Sequence, residues 1–172
     1  SNTASNTHAN AFGYDNEASG VDASAFGITN MVTGSNAVAM GNYNDVLNDN
    51  ASAFGINNSV SGSYASAFGY GNIAKGERAS AVGSSNNADA AGSSAVGVNN
   101  SAEGVDANAF GNNNIAKGDY SSAFGVNNST AGQQSSAVGY DNLAYGDRAS
   151  VFGYKNIAAA ADGVALGGSN IV

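Results

Sequence analysis

A glycine recurs every 14 residues along the whole chain, with no insertion or deletion between one repeat and the next. Each of the twelve glycines follows a large apolar residue, and an asparagine lies three residues after it. The glycines are Gly13, Gly27, Gly41, Gly55, Gly69, Gly83, Gly97, Gly111, Gly125, Gly139, Gly153 and Gly167. The asparagines are Asn16, Asn30, Asn44, Asn58, Asn72, Asn86, Asn100, Asn114, Asn128, Asn142, Asn156 and Asn170. A fixed period over this many repeats indicates a solenoid, in which each repeat stacks on the next. We therefore predict a single domain over residues 1–172.

Glycine, alanine, serine and asparagine dominate the composition, a bias that is also typical of flexible linkers. Order is favoured because the apolar positions keep their register, and because 42% of the residues are hydrophobic against 10% charged. Five lysines and arginines against 13 acidic residues give a net charge of −8, so we expect no nucleic-acid partner. Without cysteine, neither a disulfide nor a thiolate metal site can form.

The sequence lacks the usual signals of membrane insertion and export. No stretch approaches the roughly 20 consecutive apolar residues of a membrane-spanning helix, so we expect no direct membrane insertion by this segment. Residues 1–10 lack the basic and apolar regions of a signal peptide. Because the chain starts and stops inside its own repeat, we expect it to be a fragment of a longer protein.

Within each repeat, counted from the recurring glycine as position 0, the pattern predicts two strands and two turns. The run Ala65 to Gly69 alternates small residues with Ser66 and Phe68, which is the period of a β-strand rather than of a helix. A short second strand is predicted at positions +4 to +6. Turns are predicted at positions 0 to +3 and from position +7, where glycine recurs in eight repeats. We expect these glycines, and the asparagines that end the first turn, to adopt positive φ angles.

Stacked coils of this kind form an all-β parallel β-roll of about twelve coils, which would be a rod of roughly 58 Å. The asparagines would then lie above one another and hydrogen-bond along the rod, because a side-chain amide both donates and accepts. We expect this row to be structural. The alternative is a polar row that binds a ligand.

The large residue at position −1 is the main candidate for an interaction site. A narrow coil suits alanine and glycine inside, so we expect this residue to point outward and to form an apolar row that drives association. The alternative keeps the phenylalanines inside a monomeric roll. The row consists of Phe12, Phe26, Met40, Phe54, Phe68, Val82, Val96, Phe110, Phe124, Val138, Phe152 and Leu166.

The run Ala-Ser-Ala-Phe-Gly, followed by Asn72-Ile73-Ala74-Lys75-Gly76, resembles the head repeat of the YadA-like trimeric autotransporter adhesins. These are type V-secreted surface proteins of Gram-negative bacteria, and the likeness extends from about residue 9 to residue 172. It implies a left-handed β-roll, a homotrimer with two identical chains whose interface contains the row at position −1, and a bacterial surface location. It also implies that a part outside this chain anchors the protein in the outer membrane.

This sequence departs from the family pattern in two ways. Phenylalanine is bulkier than the family's usual isoleucine at position −1. Asn48, Ala90 and Ala160 replace the second glycine. We expect altered turns in those three coils, and Gly92, two residues late, indicates one such shift.

Neither catalysis nor a cofactor is expected. His8 is the only histidine and has no cysteine partner, which argues against a catalytic triad and a histidine-based metal site. The acidic residues do not form the repeated motif of calcium-binding β-rolls. The charges at Glu77–Arg78 and at Asp147–Arg148 are expected to be solvated turn charges.

Exposed tyrosines on a rigid scaffold are candidate ligand contacts, since tyrosine is common at recognition surfaces. The candidates are Tyr14, Tyr43, Tyr64, Tyr70, Tyr120, Tyr140 and Tyr154. The alternative is that these rings stack on one another and cover the edge of the turns. The leading functional hypothesis is an adhesin head that binds a host matrix protein, a cell receptor or another bacterial surface. The alternative is a structural spacer without its own receptor. An ice-binding solenoid is disfavoured because the expected Thr-x-Thr ladders are missing.

Overall fold

Each 14-residue repeat forms one coil that contains a long strand, a short strand and two corners between them. The computed structural model describes all residues from 1 to 172 and contains 24 strands. The long strands are β2 (Asn10–Tyr14), β4 (Ser24–Ile28), β6 (Val38–Asn42), β8 (Ser52–Ile56), β10 (Ser66–Tyr70), β12 (Ser80–Ser84), β14 (Ser94–Val98), β16 (Asn108–Asn112), β18 (Ser122–Val126), β20 (Ser136–Tyr140), β22 (Ser150–Tyr154) and β24 (Val164–Gly168). The short strands are β1 (Thr3–Ala4), β3 (Glu17–Ala18), β5 (Met31–Val32), β7 (Asp45–Val46), β9 (Ser59–Val60), β11 (Ile73–Ala74), β13 (Asn87–Ala88), β15 (Ser101–Ala102), β17 (Ile115–Ala116), β19 (Ser129–Thr130), β21 (Leu143–Ala144) and β23 (Ile157–Ala158). The structure contains no helix long and apolar enough to span a membrane.

The long strands form one 12-stranded parallel sheet and the short strands form a second, each in the order of the sequence. Every strand except those at the two ends pairs with its equivalents in the coils before and after it, so that Phe68 lies between Phe54 and Val82. The prediction of an all-β parallel solenoid with about twelve coils is therefore confirmed. The left-handed winding and the trimer stay predictions.

Small side chains fill the space between the two sheets. Ala65 and Ala67 point inward from the long-strand side of one coil, Ala74 points inward from its short strand, and all three are fully buried. The largest apolar side chains in the core are the valines Val32, Val46, Val60 and Val151. As expected for so narrow a coil, the core contains no aromatic residue.

Polar residues interrupt this core near the ninth coil. Ser121 takes the place of the usual alanine, and the hydroxyl of Thr130 in the same coil donates a hydrogen bond of 2.9 Å to its Oγ. In the next coil, the Oγ of Ser135 donates to the carbonyl of Gly132 at 2.7 Å. These residues divide the buried apolar residues into a cluster of 22 and a cluster of 6.

The recurring asparagines form a continuous hydrogen-bonded ladder inside the first corner, as predicted. The two hydrogens of Asn72 Nδ2 are shared among three acceptors, which are Asn58 Oδ1 at 3.1 Å, the carbonyl of Phe68 at 3.0 Å and that of Gly83 at 2.9 Å. Its Oδ1 accepts from the backbone N–H of Asn86 at 3.1 Å and from the Asn86 Nδ2 at 3.0 Å. Because these amides are buried and fully engaged with protein atoms, the alternative of a ligand-binding row is wrong.

The positive φ angles lie at different positions from those expected. The glycines at position 0 do have positive φ, for example +120° at Gly69, but those at position +7, such as Gly62, do not. The backbone of Gly62 instead leaves no room for a Cβ, which would lie 1.9 Å from the carbonyl oxygen of Gly76. The asparagines at position +3 do not have positive φ either. The left-handed residues are those at positions +2 and +9, one in each corner, such as Asn57 and Tyr64.

The three coils without glycine at position +7 keep the same corner. The N–H of Gly92 donates to the carbonyl of Glu77 at 2.9 Å, as the N–H of Arg78 donates to that of Ser63 in the preceding coil. Gly92 has a φ of 69°, and it occupies position +9, which is left-handed in all the other coils that contain it. The expected altered turns and the expected shift at Gly92 are therefore wrong.

Candidate interaction surfaces

A row of large apolar side chains runs along the outside of the long-strand sheet. Side chains alternate between the two faces of a strand, so position −1 points outward where positions −4 and −2 point to the core. All twelve residues lie outside the core and none is buried. We call this row the apolar stripe; its residues are Phe12, Phe26, Met40, Phe54, Phe68, Val82, Val96, Phe110, Phe124, Val138, Phe152 and Leu166. The alternative that keeps the phenylalanines inside the roll is wrong, whereas a role of the stripe in a trimer interface stays a prediction.

The apolar stripe is continuous where phenylalanines follow one another. The rings of Phe54 and Phe68 stack with centroids 5.0 Å apart and 2° between their planes, and those of Phe110 and Phe124 are 5.1 Å apart. Phe68 is still 41% exposed beside these neighbours. Position −3, mostly serine, and position +1, often tyrosine, isoleucine or valine, flank the stripe on the same face. The outer face of this sheet is therefore a long band with an apolar centre.

The candidate tyrosines are all exposed, but the structure distributes them over three sides of the rod. Those at position +1, beside the apolar stripe, are Tyr14, Tyr70, Tyr140 and Tyr154. Tyr43 stands in the corner after the long strand, and Tyr64 and Tyr120 stand in the other corner. The alternative of mutual stacking holds for one pair, since the rings of Tyr140 and Tyr154 lie 5.4 Å apart at 13°. The seven residues therefore do not form one site.

The structure adds details to this picture that the sequence pattern did not indicate. Tyr145, at position +6 on the outer face of the short-strand sheet, is 51% exposed and was not among the candidates. Its position in the repeat gave no signal, because other coils carry leucine, lysine, acidic or small residues there. The Nζ of Lys155 lies 5.2 Å from the ring centroid of Tyr154, within the range of a cation–π contact.

Charged side chains pair mainly between neighbouring coils. Arg148 does not pair with the adjacent Asp147. Its Nε and Nη2 donate to the two carboxylate oxygens of Asp162, one coil further on, at 2.6 and 2.9 Å. This hydrogen bonding lowers the pKa of Asp162 below its ordinary value and raises that of Arg148. Lys75 Nζ similarly lies 2.7 Å from Asp89 Oδ1.

The surface offers no concave site for a small molecule. The structure contains no pocket and no group of three or more histidine, cysteine or acidic side chains that could hold a metal ion. His8 is exposed, and its Nδ1 lies 2.9 Å from Asp22 Oδ1.

Comparison with known protein families agrees with this geometry. The family model of the YadA head domain repeat, which spans two copies of the repeat, matches the chain eight times. The matches cover residues 4–27, 18–44, 48–72, 74–100, 102–128, 116–142, 131–156 and 144–170. No individually curated protein matched the chain.

Proposed function

The chain belongs to the family of YadA head domain repeats, and from this premise we propose that it is the head of a trimeric adhesin on a bacterial surface. Such repeats and such a solenoid are typical of structural adhesins rather than of enzymes. The proposed protein carries this rod outside the cell, and a segment outside this chain anchors it in the outer membrane.

The observation that carries the proposal is the apolar stripe. Monomeric proteins rarely expose a contiguous apolar patch of more than a few hundred Å². A row of twelve large exposed side chains favours association with another molecule that buries it. Each such side chain contributes about 2 kcal/mol to the free energy of association when it is buried. Two further copies of the same chain supply that cover when three stripes face a common threefold axis.

A trimeric rod also suits adhesion. Every residue on its outer faces is then present in three copies, and multivalent contacts raise the overall affinity without a deep pocket. The exposed tyrosines in the corners, Tyr43, Tyr64 and Tyr120, are the proposed contacts, because they project from positions that lie away from the stripe. The proposed partner is a host matrix protein, a cell receptor or the surface of another bacterium.

The trimer is tested by the mass of the chain in solution, measured by light scattering during size-exclusion chromatography. We expect three times the chain mass of 16.8 kDa. Replacing Phe68 and Phe124 together by serine should give a folded monomer, because two apolar contacts per chain are lost near the middle of the stripe. The matched control replaces Tyr64 and Tyr120 by serine, and its mass should stay trimeric. A monomeric wild-type chain at micromolar concentration would contradict the proposed interface.

Adhesion is tested separately, with the trimer immobilised and probed with matrix proteins and whole cells. The variant with Tyr64 and Tyr120 replaced by serine is informative in this assay, since it should remain a trimer and lose binding. A trimer that binds none of these surfaces, and whose deletion leaves cell attachment unchanged, would make the chain a spacer.

A further inference from the structure

Five asparagines begin the sequence Asn-x-Ser or Asn-x-Thr, which is the acceptor signal for N-linked sugars in secreted proteins. They are Asn50, Asn57, Asn99, Asn127 and Asn128. A chain rich in asparagine and serine contains such triplets through its composition alone. The structure distinguishes among them, because it fixes the position of each amide and of each hydroxyl.

Four of the five share one local geometry. Asn57, Asn99 and Asn127 stand at position +2 in one corner, and Asn50 stands at position +9 in the other. Each is exposed and left-handed, with φ between 54° and 58°. In each triplet the middle residue is buried and the serine begins the next strand with a partly exposed side chain. The amide and the hydroxyl therefore both lie on the outside of the coil.

The fifth triplet begins at a ladder asparagine and has the opposite geometry. Asn128 is 1% exposed. The two hydrogens of its Nδ2 are shared among Asn114 Oδ1 at 3.0 Å, the carbonyl of Phe124 at 2.9 Å and that of Gly139 at 2.8 Å. A sugar on this nitrogen would remove donors from buried carbonyls and would have no space between the coils.

We propose that the folded chain carries N-linked sugars on Asn50, Asn57, Asn99 and Asn127 and none on Asn128, because a chain with a sugar on Asn128 could not close this coil. The co-reactant is a sugar activated as a nucleotide or lipid diphosphate, and a glycosyltransferase carries out the transfer. The asparagine Nδ2 forms a bond to the anomeric carbon, while the bond from that carbon to the diphosphate oxygen breaks. The diphosphate leaves with the electron pair, and the Nδ2 proton passes to a base of the transferase.

Transfer takes place before the coil closes. In the folded coil the N–H of Asn57 donates to the carbonyl of Asn42 at 3.0 Å, and that of Ser59 donates to the carbonyl of Asn72 at 2.9 Å. These bonds hold the triplet rigidly, whereas a transferase needs to bend it into its own site. The folded coil then accommodates the product, since each sugar projects from an exposed corner away from the apolar stripe. The proposal does not depend on the trimer or on adhesion.

The test is co-expression of the 172-residue chain with a transferase that recognises Asn-x-Ser/Thr and uses a nucleotide-linked hexose. The folded chain is purified, and fragment mass spectrometry locates each hexose. We expect a hexose on Asn50, Asn57, Asn99 and Asn127, and an unmodified Asn128 even though it adjoins a modified residue. The proposal is overturned if the four sites stay unmodified while a reporter peptide in the same cells is glycosylated. It is equally overturned if folded chains carry a hexose on Asn128.

The chain contains matched controls for both corners. Asn113 occupies position +2 and Asn36 occupies position +9, and both are exposed and left-handed, with φ of 54°. Neither begins a triplet, because Ile115 and Val38 stand where the hydroxyl is needed. Both should stay unmodified, Ile115→Thr should add one hexose at Asn113, and Val38→Thr should add one at Asn36. Hexose on either residue in the wild-type chain would show that the triplet does not direct the transfer and would contradict the proposal.

Discussion

At the scale of single residues, two glycines of the same coil illustrate two different roles. Gly69 has a φ of +120°, and a Cβ there would lie 2.0 Å from the carbonyl oxygen of Gly83 in the next coil. Gly71 has a φ of +62°, and the nearest atom to its Cβ would be Ser85 Oγ at 3.8 Å. The distance between coils requires glycine at the first position, whereas the second position needs only a residue that tolerates a positive φ.

Gly69→Ala should therefore destabilise the chain by at least about 3 kcal/mol, the sum of backbone strain and overpacking against an immobile carbonyl. Gly71→Asn should be neutral or should stabilise by up to about 1 kcal/mol, because asparagine tolerates this φ and restricts the unfolded chain. Urea unfolding followed by circular dichroism measures both midpoints. Similar midpoints for the two variants would show that the coils can separate enough to accept a methyl group.

The sequence predicted the asparagine ladder but not the reason for every glycine. An asparagine such as Asn72 could be assigned a structural role, because its period and its two-sided amide already imply stacking. The role of Gly62 could not be assigned in the same way. Glycine at a turn usually signals a positive φ, and only the stacked structure shows that the carbonyl of the next coil occupies the space of its Cβ.

At the scale of the coil, the buried pair of Ser121 and Thr130 predicts an asymmetric response to mutation. Ser121→Ala leaves the buried Thr130 hydroxyl without its partner at 2.9 Å and should cost about 1–3 kcal/mol. Thr130→Val should cost less, because the Ser121 hydroxyl can turn to the carbonyl of Gly118. Ser135 makes the equivalent bond in the next coil.

The double variant Ser121→Ala with Thr130→Val should recover most of the loss, which makes the pair a double-mutant cycle. It recreates the combination that Ala23 and Val32 already form in the second coil, where both are fully buried. Thermal unfolding of the four proteins measures the coupling. Equal losses of stability for the two single variants would contradict the assignment of Thr130 as the donor and Ser121 as the acceptor.

Between coils, the pair of Arg148 and Asp162 predicts a small dependence of stability on pH. The pKa of Asp162 is lowered by the hydrogen bond from Arg148. The ionised carboxylate is therefore more favoured over the protonated form in the folded chain than in the unfolded one. This contribution is present above the unfolded pKa and is lost as the pH falls through the folded pKa. Carboxyl chemical shifts in an acid titration should show the low pKa of Asp162, and in Arg148→Gln it should return towards its ordinary value. An unchanged Asp162 titration in that variant would contradict the pairing.

The elements themselves were largely predictable from the alternation around residues such as Ala67 and Phe68. The strand bounds differed slightly, since the long strands include position +1 and the short strands end at position +5. The turns containing Ala90 and Ala160 were predicted wrongly. In a solenoid the conformation of a corner is imposed by hydrogen bonds from the neighbouring coils, so a single unusual residue does not change it.

At the scale of the whole molecule, the apolar stripe was predictable because an alternating strand with a small face must place Phe68 on the other face. The sides of the rod on which Tyr43 and Tyr64 lie were not predictable, because they depend on which residue of each corner adopts a positive φ. The proposed trimer interface involves three chains, and it leads to a prediction that does not hold for a monomer.

Charge is distributed unevenly along the rod. Residues 1–74 contain five acidic residues and no lysine or arginine, a side-chain charge of −5, whereas residues 75–172 contain eight acidic and five basic residues, a charge of −3. A threefold axis along the rod makes the three chains parallel and in register, so it brings three copies of the more acidic end together. Like charges repel over about a Debye length, roughly 10 Å at 0.1 M salt.

Raising the salt concentration from about 0.01 to 0.15 M should therefore stabilise the N-terminal coils of the trimer by screening this repulsion. The C-terminal coils should gain less, because the same screening weakens pairs such as Lys75–Asp89 and Arg148–Asp162. Amide hydrogen exchange, measured separately for each coil, should become slower at the N-terminal end when the salt concentration is raised. The Phe68→Ser, Phe124→Ser monomer should show a smaller difference between the two ends, since each of its rods carries only its own charge. A salt effect that is uniform along the rod, or equal in trimer and monomer, would contradict the parallel arrangement of the chains.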